Sequence, residues 1–454
     1  MNGVLVSNGF GFGPNDPNEN EPSNNQPSNN EPNNVNPFGN MQFNEIFKQF
    51  SGLGLDIQSL IASLTGQAPT TKLSKDVIRD ISRKFLAAQG ERPVGTLELA
   101  EIHSAFAIAD LWIDGATTFP SLGIPDNCAM GRREWIDSSI TGWQEIATPL
   151  IEGMTSGITN ALSSQMPSQE ELSQAMPGFA MPPIGNIASI MSTLMGSMIS
   201  SQLGQTIGSL ATSVTGANDV SLPLTNPIRM YLIPENVERW GEGLDIPAQE
   251  VRIYLALREI AAARLFAHTP WLSSYLRNAI EMYGKGIRID FSAMQRQAED
   301  AMNSGDFDPT NPSSIQNALT GGMFTPEESD VQRNALAKLE MVLALIDGWI
   351  DQVVVDAAGN RLPSIIKLRE TQSRRRATKS PTQQLFASLI GLEVSPRTAR
   401  ECAGFWRTIG ETQSETHRDK LWEDAVLLPR EEDLADPLKF LKSTIVPDDL
   451  SGLL

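Results

Sequence analysis

The feature that most constrains this sequence is a long stretch without any charged side chain, residues 172–218. Such a stretch belongs either in a membrane or in a packed protein interior. Serine, threonine, glutamine and asparagine recur throughout it, and it has no run of about 20 predominantly apolar residues, the length that a spanning helix needs. Gly196, Ser200, Gly204 and Gly208 follow one another at four-residue spacing, which lets helices pack closely. We therefore predict a buried or self-packing helix pair, in a core or between subunits, and no membrane span.

Helical periodicity continues on both sides of this stretch. Residues 74–90 begin with a serine suited to an N-cap and end at a glycine, which predicts a helix. Residues 95–120 and 132–158 also carry apolar side chains at helical spacing, and this pattern returns from about 248 to 443. Short apolar pieces bounded by proline and glycine predict one or two short strands in residues 219–247. The predicted fold class is mainly α, with few short strands.

The composition changes sharply along the chain. Residues 14–40 are almost entirely Asn, Pro, Glu and Ser, and such a tract buries too little apolar surface to offset its ordering entropy. We therefore predict a disordered N-terminal tail over residues 1–40, an N-terminal helical region over 41–218, and a second helical region over 219–454.

The charge balance bears on the class of partner. Lys and Arg number 35 and Asp and Glu number 54, which gives a net charge of −19. This charge repels phosphate backbones and anionic lipid surfaces, so neither a nucleic acid nor a membrane partner is expected. Cys128 and Cys402 are too few for a disulfide framework or a cysteine zinc site and suit a reducing compartment. Because the N-terminus also lacks the pattern of a secretory signal, we expect a cytoplasmic protein.

Residues 255–272, LALREIAAARLFAHTPWL, have the outline of a metalloprotease active-site helix. In such a helix the motif H-E-x-x-H places two imidazoles on one face, where they bind zinc, and its glutamate serves as general base. Glu259 stands at the base position, whereas Arg258 and Ala262 stand at the two histidine positions. A guanidinium stays protonated and cannot bind a metal ion, and a methyl group has no donor atom.

Several further blocks accompany this helix: AFAIADLWIDGATTFP, GWQEIATPLIEG and SLPLTNPIRMYL upstream, and GWIDQVV and FWRTIGETQSETHRDKLWEDAVLLPREEDLADPLKFL downstream. Together they resemble the zincin-like metallopeptidase family of actinobacteria, whose members are labelled hydrolases. The resemblance implies a zincin-like helical domain in residues 219–454. In members with an intact motif, a later Gly-His supplies what looks like the third zinc ligand. Trp349 holds that position here, so all three ligand positions depart from the family pattern.

Other acidic residues offer oxygen atoms as replacement ligands. Asp347 and Asp351 are four residues apart on a predicted helix and could meet Glu259 in a carboxylate cluster suited to Mg²⁺ or Ca²⁺. Ion-paired or solvated acids are the favoured interpretation of the same spacing, which is common by chance. Without zinc, Glu259 is expected to pair with an arginine from another segment.

Two remaining features have structural interpretations. His268 lies nine residues after Glu259, about half a turn away around a helix, and is predicted to hydrogen-bond near the helix end before Pro270. The basic run SRRRATK, residues 373–379, is predicted to be a charge-balanced loop, with an anion or an acidic partner segment as the alternative.

Two functional hypotheses follow. The first is a family member without zinc ligands that is non-catalytic, needs no cofactor, and has an interaction or assembly role, with residues 172–218 as the candidate contact to a protein partner or a second copy. The second is a metallopeptidase-like hydrolase in which Glu259 acts as base with unorthodox zinc ligands. Loss of the ligands favours the first hypothesis, because a water molecule that is not bound to a metal ion keeps its high pKa and is a poor nucleophile.

Overall fold

The computed structural model describes residues 74–165, 184–286, 329–379 and 396–444. The tail predicted for residues 1–40, and the rest of the chain before residue 74, lie outside these ranges. Within them the secondary structure is helical, with one 3₁₀ turn at Ala425–Leu427. The helices are α1 Lys75–Gln89, α2 Thr96–Ile113, α3 Arg132–Gln165, α4 Ile184–Ala211, α5 Pro234–Gly241, α6 Ala248–His268, α7 Trp271–Gly286, α8 Asp330–Ala358, α9 Ile365–Lys379, α10 Pro396–Thr412, α11 Glu415–Lys420, α12 Glu431–Leu434 and α13 Pro437–Thr444.

Helix α1 shows how local sequence sets its own bounds. The hydroxyl of Ser74 accepts a hydrogen bond from the amide of Val77 at 3.5 Å, as an N-cap does. The helix ends before Gly90, whose φ of +80° suits glycine. The predicted helix over residues 74–90 is therefore confirmed.

The glycines of α4 pack against α1. A Cβ added at Gly204 would lie 2.7 Å from Cβ of Ile81, and one at Gly208 would lie 2.9 Å from the carbonyl oxygen of Ser82. The hydroxyl of Ser82 also donates to the carbonyl of Gly204 at 2.9 Å. This half of the charge-free stretch thus packs inside the chain, which small residues permit. Of the helices described, none combines the length and apolarity that crossing a membrane requires.

Helix α6 is buried on nearly every side. It contacts α2, α5, α8 and α9, and its buried residues include all those from 259 to 266. A helix that is buried all round lies in a core rather than on a surface. Because α2 precedes residue 218 while α6 and α8 follow it, the two predicted helical regions contribute to a shared core. The boundary at residue 218 stays a prediction.

The short strands predicted in residues 219–247 are wrong for the described chain. Leu232 forms two isolated bridges, to Ala129 and to Gly216. The amide of Leu232 donates to the carbonyl of Cys128 at 2.9 Å. Helix α5 begins only two residues later, at Pro234. The extended segment is therefore too short to build a ladder, although its apolar side chains are buried as those of a strand would be. The mainly α fold class is confirmed.

The run SRRRATK also differs from its prediction, since it forms the last turns of α9 and not a loop. Arg374 projects outward with a side chain that is 78% exposed, whereas the side chains of Arg375 and Arg376 are 16% and 22% exposed. Two of the three arginines therefore face the protein and form ion pairs there.

The packing of α4 on α1 predicts a large difference between two glycine-to-alanine substitutions. Gly208→Ala places a methyl group 2.9 Å from a backbone oxygen, so it is expected to lower the free energy of unfolding by about 1–3 kcal/mol, as overpacking does. Gly196 lies in the same helix, and no atom of the described part of the chain is within 4 Å of an added Cβ there. Gly196→Ala is therefore expected to be neutral or to stabilise by up to about 1 kcal/mol through helix propensity. Urea unfolding followed by circular dichroism measures both, and equal effects would contradict the packing described.

Candidate functional site

The motif positions lie in the middle of α6. The helix starts after Pro247 and is rich in alanine, leucine, arginine and glutamate, all strong helix formers. At its far end the amide of Thr269 bonds to the carbonyl of Leu265 at 3.0 Å, and Pro270, which has no amide proton, follows. Adjacent residues on such a helix point about 100° apart, so Arg258 and Glu259 face different surroundings.

Glu259 faces the chain segment that precedes α5. Its side chain accepts hydrogen bonds from the amides of Ala217 and Asn218, each at 3.1 Å, and from the side-chain amide of Asn218 at 2.8 Å. The amide of Tyr231 donates a longer bond of 3.4 Å. Glu259 is only 4% exposed. Both carboxyl oxygens are therefore occupied by donors from the protein itself.

The electrostatic state of Glu259 follows from this enclosure. Burial raises its pKa to about 8, and the hydrogen bonds from Asn218 and Tyr231 oppose this shift without cancelling it. The nearby carboxylate of Asp219 raises the pKa further. The predicted arginine partner is wrong: the donors that reach Glu259 are amides, and Glu259 forms no ion pair with any described residue. Backbone amides from the 217–218 turn occupy the place that a guanidinium would need.

Arg258 points instead toward α8 and α9. Its side chain is 11% exposed, and its Nη2 lies 3.4 Å from Oδ1 of Asp347. Arg376 donates to the same oxygen at 2.6 Å. One turn further along α8, Asp351 accepts from Arg369 at 2.7 Å. Both aspartates are therefore ion-paired, as the favoured interpretation of their spacing predicted.

The alternative carboxylate cluster does not form. Asp347 and Asp351 face arginines, while Glu259 faces backbone amides about 100° away around α6. Within the ranges that the structure describes, no group of three or more His, Cys, Asp or Glu residues is placed to hold a metal ion. Ala262, at the second ligand position, is 2% exposed and contributes only a methyl group.

Trp349 lies elsewhere in the core. Its indole Nε1 donates to Oδ1 of Asp419 at 2.9 Å, and its ring packs against Phe119 with the centroids 5.5 Å apart. The guanidinium of Arg418 lies 5.7 Å from the ring centroid. Since residues two apart on a helix point about 200° apart, Trp349 faces away from Asp347 and the Arg258 side chain. The assignment of Trp349 to the family's third ligand position stays a prediction from the resemblance.

His268 is the last residue of α6 and is exposed. Its Nε2 lies 3.2 Å from the carbonyl oxygen of Pro120, and its ring stacks on Phe119 at a centroid distance of 5.8 Å. The histidine thus ties the end of α6 to the segment after α2. This is a structural contact at the helix end that precedes Pro270.

Several residues of this region were missed by sequence reasoning. Asn218 supplies the closest donor to Glu259, and Tyr254 lies one turn before Arg258 on α6. The i,i+4 spacing of Tyr254 and Arg258 was readable in the sequence. The contact of Asn218 was not, because it joins segments that are 41 residues apart.

Comparison with known proteins agrees with this fold. The model of the zincin-like metallopeptidase family matches residues 74–441, and the chain belongs to that family. A crystal structure of a candidate hydrolase with a novel fold from Chloroflexus aurantiacus superposes with a TM-score of 0.53 over 82% of this chain and 98% of that chain, at 17% sequence identity. At that identity the likeness shows the fold alone. No curated protein matches the sequence.

The family implies zinc, and the motif residues here do not fit it. Zinc sites in proteins use imidazole, thiolate or carboxylate ligands. At the motif the structure presents the guanidinium of Arg258, the methyl group of Ala262 and a carboxyl group, Glu259, whose oxygens already accept hydrogen bonds. The ordinary ligand set of a zincin is therefore not assembled on α6.

The raised pKa of Glu259 predicts a pH dependence of stability. A folded-state pKa of about 8 lies above that of an unfolded glutamate, so the folded chain holds a proton that the unfolded chain loses. The contribution of Glu259 to stability is then greatest at and below the unfolded pKa and falls as the pH rises toward about 8, by at most about 1.4 kcal/mol per pH unit.

Glu259→Gln is expected to flatten this slope, because an amide does not titrate. Urea unfolding between pH 5 and pH 9 measures the slope, with the exposed Glu242→Gln as the matched control. If the slope is equal in the wild type and in Glu259→Gln, Glu259 is not protonated in the fold.

Proposed function

We propose that this chain is a non-catalytic member of the zincin-like metallopeptidase family with an interaction or assembly role. The observation that carries the proposal is the state of the motif helix. Arg258 occupies a ligand position and pairs with Asp347, while the would-be base Glu259 has both oxygens bound to the amides of residues 217 and 218. A base in this state neither holds a water nor reaches a substrate.

The same residues support loss of metal-dependent chemistry on electrostatic grounds. A zincin lowers the pKa of a bound water because three neutral or anionic protein ligands hold a dication beside it. The permanently charged guanidinium of Arg258 repels a dication at that place. In this proposal the Arg258–Asp347 ion pair takes the place of a metal–imidazole bond. The pair joins α6 to α8, but the zinc ion that would act as a Lewis acid is lost.

The charge-free stretch is the proposed contact for a partner or a second copy. Gly204 and Gly208 pack on α1, but at Gly196 no atom of the described residues lies within 4 Å of an added Cβ. Small residues that permit close helix packing therefore continue beyond the part that α1 covers. The net charge of −19 argues against a nucleic acid in this role.

A cytoplasmic location belongs to this proposal. Cys128 and Cys402 are both buried and free, and burial raises the pKa of Cys128 to about 11. Two unpaired thiols suit a reducing compartment.

A hydrolase that uses Glu259 as general base is the second candidate. The observation in its favour is the pKa of about 8, since a base works best with a pKa near the working pH. It needs zinc ligands other than those of the motif, and it needs the turn at residues 217–218 to release the carboxyl group.

Metal content separates the two candidates. After equilibration with zinc and dialysis, elemental analysis of the full chain is expected to give well below one zinc per chain. Hydrolysis of casein or of simple esters should then not exceed that of Glu259→Gln, because no activated water is present. One tightly held zinc per chain, together with activity that Glu259→Gln abolishes, would overturn the proposal in favour of the hydrolase.

Self-association through α4 is tested at Gly196. Gly196→Arg adds a bulky charge where no atom of the described chain lies within 4 Å of the Cβ position, so the fold should persist while a helix contact there is lost. Gln205→Arg, about half a turn away around the helix and exposed, is the matched control. We expect an oligomer by sedimentation velocity for the wild type and for Gln205→Arg, and a monomer for Gly196→Arg. A monomeric wild type, or an unchanged Gly196→Arg, would contradict self-association at this site.

A further inference from the structure

Three buried polar atoms near Arg258 have no hydrogen-bond partner among the described residues. They are the hydroxyl of Tyr254, Nη1 of Arg258 and Nε of Arg369. A fourth such atom, Nη1 of Arg375, lies 3.3 Å from Oδ2 of Asp219 in an ion pair. Tyr254 is fully buried, with an exposed fraction of 0%. Native proteins leave few such groups unpaired, and a cluster of them indicates a bound water, ion or ligand. The two arginine nitrogens can only donate and the tyrosine hydroxyl can donate as well as accept, so an acceptor would satisfy all three.

These donors converge from two helices. Tyr254 and Arg258 lie four residues apart on one face of α6, and Arg369 and Arg376 lie seven apart on one face of α9. Arg258 and Arg376 meet at Oδ1 of Asp347 on α8, at 3.4 and 2.6 Å. The two donor faces are therefore held together around one aspartate.

Among the described residues, the charges around this point do not balance. The ion-paired groups are four guanidiniums against three carboxylates, namely Arg258, Arg369, Arg375 and Arg376 with Asp219, Asp347 and Asp351. The carboxylate of Asp219 already accepts from the amide and hydroxyl of Thr215, at 2.8 and 3.0 Å. One further negative charge would neutralise the cluster.

The cluster is also reachable from solvent. The side chains of Arg369, Arg376 and Asp347 are 38%, 22% and 20% exposed, while Tyr254 is fully buried. The outer part of the cluster is therefore in contact with solvent. The outward-facing Arg374, 78% exposed and paired with Glu370 on its own helix, lies outside the cluster.

We propose that this arginine cluster, formed by Tyr254, Arg258, Arg369, Arg375 and Arg376, binds the phosphoryl group of a phosphate or phosphate monoester. Guanidinium forks match the oxygens of phosphate in pairs. A tetrahedral oxyanion offers acceptors in several directions, which suits donors arriving from α6 and α9 better than the two coplanar oxygens of a carboxylate. The net charge of −19 does not prevent this. At 0.1 M salt, screening limits the range over which exposed acidic side chains repel an anion to about 10 Å. The site goes beyond the proposed function and does not depend on it.

Calorimetric titration of the full chain with inorganic phosphate tests the proposal, with chloride at equal ionic strength as the reference. We expect saturable binding of one phosphate per chain and a rise in melting temperature that chloride does not produce. Tyr254→Phe removes a hydroxyl that has no partner among the described residues, so the fold is expected to be unharmed. It should weaken phosphate binding by about tenfold, the value of one hydrogen bond to a charged group.

Two arginine variants from the same run of α9 provide a matched comparison. Arg376→Gln should abolish measurable binding, whereas Arg374→Gln should leave the dissociation constant unchanged. If Arg376→Gln does not fold, the Tyr254→Phe result decides. Absence of phosphate-specific binding, or equal weakening in Tyr254→Phe and Arg374→Gln, would overturn the proposal and leave waters as the acceptors.

Further titrations distinguish the source of the phosphoryl group. Binding of O-phosphoserine as tight as that of inorganic phosphate would indicate a phosphoryl group carried on a larger molecule. Binding of inorganic phosphate alone would indicate the free ion. Acetate that binds as well as phosphate would refute the tetrahedral assignment.

Discussion

The rest of this structure depends on how one buried carboxyl group is accommodated. Glu259 sits in the central helix α6, where an unbonded carboxyl group would cost several kcal/mol, and the turn at residues 217–218 satisfies it with amide donors. The backbone before that turn lies very close to the Glu259 side chain. A Cβ at Gly216 would lie 2.5 Å from Oε2 of Glu259 and 2.8 Å from the carbonyl oxygen of Tyr231. A glycine is therefore required there. The carboxyl group in this way fixes the segment between α4 and α5 onto the core helix.

Arg258 joins another side of α6 to its neighbouring helices. In a zincin the first motif position binds a metal ion that joins the motif helix to a later segment. Here a guanidinium at that position reaches Asp347 of α8, which Arg376 of α9 also contacts. The guanidinium of Arg258 thus takes the place of the metal ion, and its ion pair with Asp347 links α6 to α8. The link leaves excess positive charge and unpaired donors, which is the physical basis of the proposed phosphoryl site.

Local sequence patterns predicted local structure well. The N-cap Ser74, the terminal Gly90 and the small residues of α4 all appear where their spacing indicated. The failures concerned distant contacts. The apolar piece around Leu232 is buried like a strand but has no neighbour in the described chain long enough to pair with. The arginine expected beside Glu259 is replaced by the amides of residues 217 and 218.

The sequence by itself determined that α6 is a helix and that its motif lacks two imidazoles, because periodicity and side-chain chemistry are local properties. Only the tertiary structure decided what meets Glu259 and Arg258. Every residue except proline carries an amide that can serve a carboxylate, so the sequence could not tell that the amides of residues 217 and 218, not an arginine, would lie against Glu259. The pairing of Arg258 with Asp347, 89 residues away, likewise depends on how α6, α8 and α9 pack.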